Sequence, residues 1–200
     1  MTTLLQINTS LFAAHGQSSQ LADRFVAEYL AAHPGTRRVL RDVASEPLPH
    51  LDGRRFTAFT TPADSRSDEQ RAVIAESDAL IAELKAADVI VLGLPMYNFG
   101  VPSQLKSYFD HIARAGETFR YTANGPVGLV TGKKVYVFAT RGGQYAGTAL
   151  DTETKYVRDF LAFIGITDVE FVYAEGLAYG PEQKDAAVAK AIATITQLAA

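Results

Sequence analysis

Five short apolar runs alternate along the chain with five stretches whose apolar residues recur at helical spacing. The first run, Thr3 to Asn8, begins almost at the first residue. Leu21, Phe25 and Tyr29 then mark a helix, with Ser18 or Ser19 as its N-cap and Pro34-Gly35 as its stop. Arg37 to Asp42 is short and charged, which suits a sheet edge. A polar stretch from 45 to 67 reads as loop and leads into a helix bearing Val73, Leu80, Ile81 and Leu84. Val89 to Leu94 is apolar throughout, as expected of a strand covered on both faces. Pro102 can open the next helix, where its missing N–H costs nothing, and Leu105, Tyr108, Phe109 and Ile112 form its stripe. Val135 to Ala139 is another buried strand, followed by helical Val157, Phe160, Leu161 and Ile164 up to Gly165. Val169 to Tyr173 alternates like a second edge strand, and a last helix carries Val188, Ile192 and Ile195.

Strand–helix alternation with an apolar middle predicts a three-layer α/β fold around a doubly wound, five-stranded parallel sheet. The order 2-1-3-4-5 puts the two charged runs at the edges and is the flavodoxin-like arrangement. The other common doubly wound order needs a sixth strand, for which there is no candidate. No repeat or low-complexity segment divides the chain, so residues 1–200 are read as one domain. Gly116 to Gly132 exceeds the minimal pattern and reads as an insertion carrying Phe119, Tyr121 and Pro126.

Composition narrows the chemistry. A net charge of −3 with scattered basic residues argues against a nucleic-acid partner. The absence of cysteine excludes disulfides, thiolate metal sites and a cysteine nucleophile. The start of the chain has no basic leader followed by an apolar stretch, and nothing approaches the ~20 apolar residues that span a bilayer. The expectation is a cytoplasmic protein without a membrane partner. His15, His33, His50 and His111 show no metal-like or triad-like spacing and read as surface or capping histidines, so no metal is expected.

Ligands of such sheets bind beyond the carboxyl ends of the strands, where the strand order reverses. The loop after the first strand, Asn8 to Ser19, is rich in hydroxyls and ends at a helix N-terminus, which favours an anion. Ser18 and Ser19 can equally cap that helix. No G-x-G-x-x-G follows the first strand, which leaves a dinucleotide fingerprint unsupported. Gly128 to Lys134 imitates a P-loop, but its spacing is short and it precedes a strand, so it reads as a turn. After the third strand, Tyr97-Asn98-Phe99 can stack on and hydrogen-bond a planar heterocycle, or Tyr97 and Phe99 can plug the core. After the fourth, Thr140 to Tyr145 offers Gly142 and Gly143 for close backbone approach, or a plain loop.

Pro95-Met96-Tyr97-Asn98-Phe99, followed by Pro102-Ser103-Gln104-Leu105-Lys106, resembles the signature of the FMN-dependent NADH-azoreductases, also described as NADH:quinone oxidoreductases. The similarity continues through Ala113 to Gly116, Thr118 to Tyr121, Asn124 to Pro126, Gly128 to Lys134, Arg141 to Gly143, Phe163 to Asp168 and Ala174 to Gly176. Likeness is least between 45 and 67. The resemblance implies that Ser10, Gly16, Gln17 and Ser18 hold the FMN phosphate. It implies that Met96, Tyr97, Asn98 and Phe99 line the isoalloxazine, and that Thr140, Arg141, Gly142 and Gly143 meet its polar edge. A substrate pocket is assigned to Phe119, Tyr121 and Phe163.

The activity implied by the resemblance is that of an oxidoreductase in which FMN passes hydride from NADH or NADPH to quinones and aromatic azo compounds by a ping-pong cycle. A homodimer with each flavin near the interface is implied as well. Flavin carries the redox chemistry, and no side chain is required as a general acid. The alternative is an electron-transfer flavodoxin-like FMN carrier with no substrate site of its own. A flavin-free hydrolase or receiver-like domain lacks support, since there is neither a G-x-S-x-G elbow nor an acidic pair after the first strand.

Overall fold

The computed structural model describes all 200 residues. Its elements are β1 (Thr3–Asn8), α1 (Gln17–Ala32), β2 (Arg37–Asp42), α2 (Gly53–Thr60), α3 (Asp68–Ala86), β3 (Val89–Pro95), α4 (Ser103–Ile112), β4 (Phe119–Thr122), β5 (Gly125–Gly128), β6 (Lys134–Thr140), α5 (Thr152–Ile164), β7 (Asp168–Ala174) and α6 (Pro181–Leu198). Five strands form a parallel sheet in the order β2-β1-β3-β6-β7. This is the expected order, with the last two strands renumbered because β4 and β5 intervene.

Burial follows position in the sheet. Every residue of β3 is buried, whereas no residue of the edge strand β2 is. Helices α3, α4 and α5 cover one face through the larger cluster, which includes Leu84, Leu105, Tyr108, Val157 and Ile164. On the other face α1 and α6 close a smaller cluster around Phe25, Val91, Phe138 and Ile195. Phe25 sits 5.3 Å from Phe138, and Gly93 lets α1 approach: a Cβ there would stand 3.2 Å from the Ser18 carbonyl oxygen.

Several expectations are corrected. Part of the polar stretch is a helix, α2, whose N-cap Asp52 accepts a 2.8 Å bond from the Arg55 N–H. Its apolar signal is weak because Phe56 faces solvent and only Ala58 is buried. Much of the insertion is an antiparallel hairpin, β4–β5. Asn124-Gly125 at its turn is a hairpin signal visible in the sequence. Helix α1 starts at Gln17 after Gly16, so Ser18 and Ser19 lie inside its first turn and cap nothing. His111 is fully buried: its Nδ1 lies 2.7 Å from the Ser107 carbonyl and its Nε2 lies 3.2 Å from Arg55.

Candidate functional site

The loops after β1, β3 and β6 meet, as the topology requires. They enclose a cleft of about 170 Å³ that includes Ser10, Gly16, Gln17, Met96, Tyr97, Thr140, Arg141 and Gly142 in its lining. Phe12, Pro95 and Leu177 complete it and were not anticipated. Leu177 follows β7 and is held there by its N–H, which donates to the Arg141 carbonyl at 3.1 Å. The loops after β1, β3 and β6 supply the rest of the lining, and Leu177 is the contribution from beyond β7.

The first loop folds tightly on itself. A Cβ on Gly16 would lie 2.0 Å from Ser10 Oγ, so only glycine lets Ser10 reach the helix start. Ser10 Oγ accepts from the Phe12 N–H at 3.2 Å and lies 3.3 Å from the Tyr97 hydroxyl, which also accepts from the Leu11 N–H. Thr9 Oγ1 donates to the Gly93 carbonyl at 2.7 Å and ties this loop to β3. No side chain caps α1, and the N–H groups of Gln17, Ser18 and Ser19 have no partner. The hydroxyls of Ser18 and Ser19 are fully buried there and equally unpartnered. Buried polar atoms are normally satisfied, so donors gathered at a helix N-terminus fit a phosphate.

The second loop is a two-residue turn. Tyr97 and Gly100 exchange N–H···O bonds of 3.1 Å, and the residues between them, Asn98 and Phe99, have φ of 51° and 62°. Both belong to the left-handed region that a type I′ turn demands. Asparagine tolerates it; for phenylalanine it is a strained conformation. Asn98 is therefore well suited to the turn. Its exposed side chain makes no hydrogen bond within the chain. Phe99, also exposed, leans on Tyr145 at 5.4 Å and lines a neighbouring groove with His50, Val101 and Tyr156.

In the third loop the Arg141 side chain turns inward to Asp151, Glu153 and Glu175, so its guanidinium does not face the cleft. The N–H groups of Gly142 and Gly143 have no partner in the chain, and neither does that of Asn98. Three donors thus stand free on two facing loops.

Phe119, Tyr121 and Phe163 do not line this cleft. Helix α4 returns the chain to the amino end of the sheet, so the hairpin begins there, with Val130 N–H bonded to the Ile164 carbonyl at 2.8 Å. Phe119 packs on Phe163 at 4.3 Å, and Tyr121 is 73% exposed. A larger cavity of about 810 Å³ lies between α2 and α3, and its lining includes Arg54, Arg55, Glu69 and Glu76. It gathers none of the loop donors around the smaller cleft.

A fold of this topology, with its ligand cleft at the reversal of strand order, defines a flavodoxin-like protein. The chain belongs to that family: the family model described as flavodoxin-like fold matches residues 2–199. It is 58% identical over 191 residues, covering 96% of both chains, to FMN-dependent NADH:quinone oxidoreductase 6 of Burkholderia lata. It is 56% identical to the FMN-dependent NADH:quinone oxidoreductase of Cellvibrio japonicus, with 98% of each covered. An azoreductase from Bacillus anthracis superposes with a TM-score of 0.92 at 29% identity, covering 100% of this chain and 99% of the other. An FMN-dependent NADH-azoreductase from the same species, solved with FMN, gives 0.88 at 26% identity with both chains fully covered. Within the flavodoxin-like fold, this chain is a member of the FMN-dependent NADH:quinone oxidoreductase family.

Proposed function

We propose that this chain is an FMN-dependent oxidoreductase that passes hydride from NADH or NADPH to quinones and aromatic azo compounds. The observation that carries this reading is the set of unpaired donors on the loops that form and flank one cleft: the α1 N-terminus, whose Gly16 and Gln17 line it, the N–H of Gly142 in its wall, and those of the flanking Asn98 and Gly143. Ser10, Gly16, Gln17 and Ser18 would hold the FMN phosphate. Met96 to Phe99 would lie along the ring, and Thr140 to Gly143 at its polar edge. Bound flavin supplies the two-electron chemistry. The protein's part is to bind, to orient, and to offer preorganised N–H donors where negative charge gathers. The carrier alternative is not favoured, because relatives at 56–58% identity over nearly their whole length are named as oxidoreductases.

A homodimer belongs to this proposal. Small-molecule sites occupy about 300–1,000 Å³, whereas this cleft measures about 170 Å³ and encloses only part of a flavin. Phe119, Tyr121 and Phe163, far from the cleft of their own chain, would serve as a substrate wall only for a partner's. No helix is long and apolar enough to cross a membrane, and a single-domain cytoplasmic enzyme is the setting we propose. The test is direct. Purified protein should show flavin absorbance and should oxidise NADH when menadione is supplied. Absence of flavin uptake refutes the reading, and flavin without menadione-dependent turnover leaves a carrier.

A further inference from the structure

A buried charge cluster lies against the Thr140–Gly143 side of the cleft. The Arg141 guanidinium, 1% exposed, is surrounded by three carboxyl groups. Its Nη2 donates to Asp151 at 2.6 Å and to Thr154 Oγ1 at 3.0 Å, and its Nη1 donates to Glu175 at 3.1 Å. Asp151 also caps α5 by accepting from the Thr154 N–H. Glu175 accepts from the N–H groups of Tyr145 and Ala146 and so pins the loop beyond Gly143.

Glu153 is left out. Its nearer oxygen is 3.6 Å from Arg141 Nε, and neither that Nε nor either carboxyl oxygen has a hydrogen-bond partner. An ionised carboxylate so placed is costly, and one guanidinium cannot balance three carboxylates. Burial pushes the Glu153 carboxyl up to about 8; Arg141 draws it back and Asp151 raises it further. Other groups nearby are Tyr173 on β7, whose ring lies 5.1 Å from the Arg141 guanidinium, and Thr152, which donates to the Phe99 carbonyl. Across the neighbouring groove stand His50 and Lys106.

We propose that Glu153 is a proton-holding positioning residue for the cleft, neutral when an anionic occupant is bound, so that FMN binding and Glu153 protonation reinforce each other. Protonated, Glu153 leaves the cluster with one cation and two anions; ionised, it adds a third anion beside the Arg141–Gly142 wall. The proton comes from solvent and returns to it, and only the carboxyl O–H bond forms or breaks. Linkage makes the effect reciprocal: whatever proton uptake strengthens must itself promote proton uptake. This inference rests on the proposed FMN function.

Two measurements on the full chain test it. The first is FMN affinity, from quenching of flavin fluorescence across the pH range around 8, for wild type and Glu153→Gln. The second needs no variant: calorimetric FMN titrations of wild type in buffers of different ionisation enthalpy count the protons taken up. Near pH 8 the FMN phosphate is already fully ionised, its second pKa lying at about 6, so uptake reports the protein. Wild-type affinity should fall on the order of fivefold as pH rises through this range, within the usual span of coupling. Glu153→Gln should stay level, and wild type should take up a fraction of a proton on binding. If FMN binds with no proton uptake, or both proteins share one pH profile, the linkage is overturned and the function stands. If wild type binds no FMN at any pH, the function fails and the linkage with it.

Discussion

At the scale of single residues, the turn at Asn98-Phe99 shows how one position can carry two duties. The left-handed φ of 51° makes Asn98 a turn residue, while its side chain and N–H, free of partners in the chain, are proposed to meet the FMN ring. Two substitutions separate these duties. Glycine keeps the turn, because it adopts positive φ without cost; alanine strains it by roughly 1–2 kcal/mol. If the side chain bonds flavin, Asn98→Gly should weaken FMN binding about threefold to tenfold, the worth of one neutral hydrogen bond, with the apo melting temperature unchanged. Asn98→Ala should lower both affinity and melting temperature. Thermal-shift titrations with FMN decide, and an unchanged affinity for Asn98→Gly confines Asn98 to the turn.

At the scale of elements, the five strands and most helices were legible because each carries its own period. The all-buried β3 could only be central, and the charged β2 could only be an edge. Two elements escaped: α2, which lacks such a pattern, and the β4–β5 hairpin, whose Asn124-Gly125 signal joins strands of only four residues each. Helix α2 buries only Ala58 from its own turns and is held by polar contacts such as Arg55–Glu76, which leave no apolar stripe to read. The hairpin depends on a meeting of two glycines far apart in sequence. A Cβ on Gly128 would fall 2.1 Å from the Gly165 amide nitrogen, and Gly165 itself has φ 108° as the cap of α5. Gly128→Ala must therefore lift β5 off α5. Overpacking costs about 1–3 kcal/mol, which for a chain of this size lowers the melting temperature by roughly 2–12 °C. Calorimetry of the apo protein checks this, and a shift within error would mean that the hairpin rides loosely on α5.

The Arg141 cluster joins β6, α5 and β7, and it sets how their association responds to pH. Burial pushes Asp151 up, but hydrogen bonds from Arg141 and Thr154 outweigh it and hold its carboxyl below the ordinary value. Its stabilising contribution is present above the unfolded carboxylate range and disappears as pH falls through the folded value. Glu153 acts with the opposite sign. Its folded carboxyl, raised to about 8 from an ordinary 4.5, holds a proton that the unfolded chain gives up, so stability declines as pH rises between those values. The apo protein should be most stable in weakly acidic solution, and Glu153→Gln should remove the decline between pH 4.5 and about 8. Melting temperatures across the pH range test this, and a profile identical to wild type would show that Glu153 keeps its ordinary titration. The sequence shows Arg141 beside two glycines, and the family resemblance implies a flavin contact there. That its side chain points the other way is due to Asp151, Glu153 and Glu175, which only the packed fold brings together.

At the scale of the whole molecule, the proposed function carries an expected order of substrates. The cleft of about 170 Å³ encloses only part of a flavin, so the rest of the site lies outside it. In the proposed ping-pong cycle donor and acceptor would use one exposed flavin face in turn, the oxidised nicotinamide leaving before a quinone enters. A partner subunit over the opening would narrow that face further and impose the same order. Initial rates with NADH and menadione varied together should give parallel double-reciprocal lines, and flavin reduced by NADH alone should be reoxidised by menadione after the nicotinamide is removed. Sedimentation of the same preparation should give twice the chain mass. Intersecting lines would require a ternary complex and hence a second pocket. A monomer with full turnover would remove the partner's Phe119, Tyr121 and Phe163 from the substrate site, leaving the wall to Phe12 and Tyr97, the aromatic side chains that line the cleft of this chain.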